Sequence, residues 1–115
     1  MNIIAKSGTV DGPIALYALT QSPDRQKLTA VKGKTLELDS WVLYTDTTSK
    51  GDEQTLLALS TTEGETFCTN SATFCRDFKN AVDMFAEFGA EFHEVAVVSG
   101  QSKNGREFIS CKVVS

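Results

Sequence analysis

One histidine, three cysteines and a set of carboxylates are the side chains of this 115-residue chain that could carry acid–base, nucleophilic or metal chemistry. His93 stands between Phe92 and Glu94 with no second ligand or nucleophile motif beside it, so it reads as a surface residue of a strand. Cys68, Cys75 and Cys111 are odd in number and form no CxxC pair, which fits reduced, partly buried thiols better than a disulfide frame or a zinc site. No cationic pair flanks them to favour the reactive thiolate. Asp77, Asp83, Glu87, Glu91 and Glu94 accompany an apolar helical stripe and read as its solvated face. No Walker A loop, GxGxxG or GxSxG occurs. No enzyme, cofactor or metal is expected from these residues.

A different chemistry comes from the way charge is distributed. The formal net charge is −4, which taken alone argues against a polyanionic partner. Residues 21–34 nevertheless hold Arg25, Lys27, Lys32 and Lys34 against Asp24 alone, net +3, and residues 99–112 hold Lys103, Arg106 and Lys112 against Glu107, net +2. The remainder must sum to −9, and it is concentrated between Glu37 and Glu94. Two separate basic segments in an otherwise acidic chain are the pattern of a phosphate-tracking groove on a soluble, repelling body. Trp41, Tyr44 and Phe67 lie between those segments in sequence, and each offers a π-face on which a base could stack.

The elements that must position these residues follow from periodicity. Gly12–Thr20 alternates loosely and reads as a strand, followed by a long connection with a short extended piece at Leu28–Val31. Thr35–Tyr44 alternates well, with Leu36, Leu38, Val42 and Tyr44 on one face and Glu37, Asp39, Trp41 and Leu43 on the other. Trp41 and Tyr44 thus face opposite sides unless a bulge intervenes, so at least one belongs to the core or its rim. Gln54–Ser60, a tight turn at Thr62-Glu63-Gly64, and Glu65–Thr69 form a hairpin-extended third strand. Phe74, Phe78, Ala81, Val82, Phe85 and Phe88 recur at spacings of three and four, the stripe of an amphipathic helix, with Asn70 or Ser71 as N-cap and Gly89 past its end. Phe92–Ser99 and Arg106–Val114 are two closing strands joined through Asn104-Gly105.

One helix after the third strand and two strands to finish is the order of an OB-fold-like five-stranded barrel, mainly β, occupying residues 1–115 as one domain. A half-open sheet packed on one helix would give the same pattern. In an OB-fold the nucleic-acid face is flanked by the loops between strands one and two and between strands four and five. On this reading those loops are the two basic segments. Arg25, Lys27, Lys32, Lys34, Lys103 and Arg106 would then capture phosphates, with Trp41, Tyr44 and Phe67 between them for bases. A single-stranded nucleic acid, DNA or RNA, is the partner that fits such a groove. The other class consistent with the sequence is a protein-binding or host-inhibiting module acting through its acidic surface. An unpaired strand edge would let copies associate. The first residues, MNIIAKSGTVDG, lack the apolar core of a signal peptide, and no apolar run approaches membrane-spanning length, so the expectation is a cytoplasmic protein.

The C-terminal third, with Phe92, Val95-Ala96-Val97-Val98, then Gly100, Ser102, Lys103, Gly105 and Phe108, resembles the end of the single-stranded DNA-binding proteins of small Bacillus phages with protein-primed replication. The resemblance extends back through Trp41-Val42-Leu43-Tyr44, the acidic Gly-containing loop, the Glu63-Gly64 turn, Phe67 and Ser71, and more weakly to Asn2-Ile3 and Gly12-Ile14. It implies a protein that coats single strands during DNA replication in the host cytoplasm. Family tyrosines that stack on bases would correspond to Tyr44 and, by aromatic character, to Phe67. A third has no aromatic counterpart near Ser49 and Lys50.

Overall fold

The computed structural model describes all residues 1–115. Its organising element is a 13-residue strand, β3 (Thr35–Thr47), to which the rest of the sheet attaches on both edges. One edge pairs along nearly its full length with β4 (Glu53–Thr61). The other pairs with β6 (Glu94–Gln101) near its start and with β1 (Asn2–Lys6) near its end. Strand β5 (Thr66–Thr69) continues from β4, and β7 (Glu107–Val113) continues from β6. A two-residue strand, β2 (Gln26–Lys27), adds to β5 in parallel. The sheet curls into a half-barrel, mainly β with two helices, compatible with an OB-like fold.

A register shift between Leu38 and Ser40 opposite β4 makes Asp39 the extra residue of a bulge. It exchanges the faces of β3 at that point. Leu36 and Leu38 point inward before it, and Trp41 and Leu43 after it, all four in the main core. Simple alternation had grouped Leu36 and Leu38 with Val42 and Tyr44. The bulge instead turns Val42 and Tyr44 to the outer face, where they join Val10, Leu19 and Ala58 in a second, smaller cluster.

Helix α2 (Ala72–Glu87) lies where the phenylalanine spacing places it. The Ser71 hydroxyl accepts from the Phe74 amide at 3.3 Å, capping the helix, and donates to the Ile109 carbonyl at 3.4 Å, tying that end to β7. Gly89 takes φ +65°, the left-handed conformation that ends a helix and that a side chain resists. Phe74 and Phe78 are buried, and the Phe78 ring packs edge-on against Trp41 and Phe92 at centroid distances of 4.9 and 5.1 Å. Phe88 leaves the stripe. As the C-cap residue it is 82% exposed.

Two sequence expectations fail at the N-terminal side. Gly12–Thr20 is not a strand: Pro13–Thr20 forms helix α1, with Pro13 in its first turn, where a fixed φ and a missing N–H cost nothing. Ala15, Leu16 and Leu19 pack against the second cluster while Ile14, Tyr17 and Ala18 face out. The residues that suggested alternation fit a one-sided helix equally well. Leu28–Val31 is a 3-10 turn rather than an extended piece, and it drives Leu28 into the core. The sheet has seven strands and there are two α-helices, so the expected count of five strands and one helix does not hold; β3 to β7, with α2 between β5 and β6, are the part compatible with an OB-like barrel. The loop between the first two barrel strands is then residues 48–52, with Lys50, and not the basic segment 21–34.

Candidate nucleic-acid interface

Although residues 21–34 do not form that loop, the fold brings them to the second basic segment. Gln26 and Lys27 pair beside Phe67 and Cys68 on β5, the free edge at one end of the curled sheet. Seven residues later the chain docks on the other end: the Gly33 amide donates to the Val97 carbonyl at 2.7 Å, and the Val97 amide to the Lys34 carbonyl at 2.9 Å. Lys32 Nζ reaches Glu107 of β7 at 2.9 Å. The segment spans the seam between β5 and the β6–β7 hairpin, with Leu28 and Val31 as its apolar anchors. Lys32 and Lys34 therefore sit beside the hairpin whose tip holds Lys103 and Arg106.

The charges here differ from those on α2. On α2, Lys79 bridges Asp83 at 2.7 Å and Arg76 contacts Asp77 at 3.4 Å. Arg25, Lys27, Lys34, Lys103 and Arg106 are exposed and make no ion pair. Lys32 is matched by Glu107, the one acid of the second segment. Arg25 has a local role as well: its guanidinium donates to the Thr20 carbonyl at the end of α1. It also lies beside the Tyr44 hydroxyl. Burial pushes that hydroxyl's pKa up, and the guanidinium opposes the shift. Glu37, Glu63, Glu65 and Glu94 line a separate cleft.

The three aromatics are placed differently from the cations. Phe67 is fully buried in the core, and Trp41, 7% exposed, has its indole against Phe78 with only its rim on the wall of a cleft beside Lys6 and Phe85. Trp41 and Tyr44 do face opposite sides of β3. Tyr44 points outward, yet it is only 3% exposed, because α1 lies over it. None of the three presents a free ring face. The exposed aromatics are Tyr17 on α1, Phe88 at the end of α2 and Phe108 on β7. Phe108 and Lys112 share the outer face of β7, which chain-wise charge counting does not single out, although alternation through the buried Ile109 does.

His93 is exposed and no group of three His, Cys, Asp or Glu side chains is arranged to hold a metal ion. The cysteines are free; burial pushes the Cys75 thiol up to about 11, and burial with the Asp77 charge pushes Cys111 up to about 12, the opposite of nucleophile activation. No helix is long and apolar enough to cross a membrane.

The curled, mainly β half-barrel with its two helices is compatible with an OB-like architecture. The model of the phi29-type phage single-stranded DNA-binding protein family matches residues 4–114, nearly the whole chain, and the protein belongs to that family. No curated protein and no solved structure matches it.

Proposed function

We propose that the protein coats and protects single-stranded DNA during phage DNA replication in the host cytoplasm, with little sequence preference. The observation that carries the reading is the docking of residues 32–34 on the β6–β7 hairpin, which supports taking two basic segments far apart in sequence as one surface. Arg25, Lys27, Lys32, Lys34, Lys103 and Arg106 take the phosphates along that surface. Six contacts would give log affinity a slope near −4 against log salt, at about 0.7 per phosphate for single strands. Stacking on Tyr44 requires α1 to lift, and Trp41 and Phe67 are held in the main core. Strand β1 pairs only with β3, and its second edge is where a neighbouring copy would add.

Titrating a length series of labelled oligo(dT) at two salt concentrations tests this. Binding that weakens steeply with salt and saturates at a defined oligomer length is the expected result. Absence of a mobility shift at low salt overturns it and leaves the glutamate-lined cleft, and with it a protein partner, as the better reading. Competition by matched RNA oligomers separates the two nucleic acids, which phosphate contacts alone do not distinguish.

A further inference from the structure

Gly100 and Phe108 stand directly opposite one another in the β6–β7 ladder. The ring leans across the strand and occupies the space above the glycine: a Cβ built on Gly100 would lie 2.8 Å from Phe108 Cζ, closer than real atoms approach. One side of the ring is thereby set against backbone, and the residue remains 38% exposed. Its diagonal neighbour on β6, Val98, is 39% exposed, so nothing in the fold covers this patch. Strand alternation places Arg106, Phe108, Ser110 and Lys112 on one side of the chain, with buried Ile109 on the other. The one acid from Val95 to Val113 is Glu107, already held by Lys32.

We propose that Phe108, seated on Gly100, is a base-stacking platform on the outer face of the β6–β7 hairpin, with Arg106 and Lys112 flanking it for phosphates. The proposal rests on the single-stranded DNA reading above and adds to it a site on a face that does not involve Tyr44. The physical advantage is preorganisation. The ring is already fixed and half desolvated, so a base meets a ready surface and less ordering entropy is lost on binding. An apolar patch flanked by uncompensated cations suits a ligand with flat apolar faces and an anionic backbone.

The test compares wild type with Phe108→Leu, which keeps apolar cover on Gly100 but has no π-face, and with Gly100→Ala, which keeps the ring and displaces it. Both should weaken oligo(dT) binding by about 5- to 150-fold, the equivalent of one lost stacking contact. The salt slope should stay unchanged, because no phosphate contact is removed. Melting followed by Trp41 emission should also be unchanged. A Trp41→Phe/Phe108→Trp protein provides the second measurement: its single indole should be quenched by oligo(dT). Wild-type affinity in Phe108→Leu, or an unmoved indole signal at position 108 under saturating oligo(dT), overturns the platform. Failure of wild type itself to bind overturns the underlying function instead.

Discussion

Two outward faces of the same curled sheet carry aromatic residues, and they have opposite fates. On β3 and β4, Tyr44 is roofed by α1 and bonded into a cluster with Val10, Leu19, Val42 and Ala58. On β6 and β7, Phe108 and Val98 stay in water. The strands alternate alike in both places, and what separates them is a helix of eight residues docked on one and absent from the other. The difference teaches that an outward position in a strand stays accessible only where no later layer of the fold claims it.

The largest expected effect falls on the roof. Leu19→Ala removes a buried leucine from the joint between α1 and the sheet and should cost about 2–5 kcal/mol by urea unfolding. The matching truncation on the bare face, Val98→Ala, should stay within about 0.5 kcal/mol. Equal costs would erase the distinction between the two faces. Next in size, the double variant Lys103→Ala/Arg106→Ala should lower the salt slope of oligo(dT) binding by about 1.4 while leaving the melt intact, at about 0.7 per contact. A slope equal to that of wild type would place the hairpin tip outside the interface. Removing the α2 cap with Ser71→Ala should cost about 0.5–2 kcal/mol, again read by urea unfolding.

An effect confined to alkaline pH separates neighbours on β7. Cys111 faces the covered side and Lys112 the solvent. The folded thiols of Cys75 and Cys111 titrate above the ordinary 9.0, at about 11 and about 12. Because the folded values are raised, their stabilisation is complete below pH 9 and is lost as pH climbs through 11 and 12, where the folded thiols also ionise. The urea midpoint should therefore be flat from pH 7 to 9 and decline above it. Cys111→Ala should flatten the decline.

Much of this architecture was legible in the chain. The phenylalanine spacing located α2, Ser71 and Gly89 marked its ends, and the turn at Asn104-Gly105 located the hairpin. Two features were not. Residues 14–19 are apolar throughout, so Ile14, Leu16 and Ala18 can share a strand face while Ala15, Leu16 and Leu19 can share a helix face, and only the packing partner decides between them. The bulge at Asp39 changes which residues of β3 face inward, and nothing in the residue types announces it. The basic segments were visible as charge, but their meeting was not, because it depends on backbone bonds between Gly33, Lys34 and Val97, more than sixty positions apart. Aromatic type is legible in the sequence, whereas accessibility is set by packing: α1 covers Tyr44, and the main core takes Trp41 and Phe67.

The strap formed by residues 26–34 joins the two ends of the curled sheet and also gathers like charges with few acids among them. Self-repulsion in that strap falls as ions screen it, so added salt should raise the melting temperature of the free protein even as it weakens the hold on a polyanion. On the reading proposed above, a bound strand would supply the same neutralisation directly and add stability according to its occupancy. Repulsion in the latch of this half-barrel would then be greatest at low ionic strength when it is empty and least when it is filled.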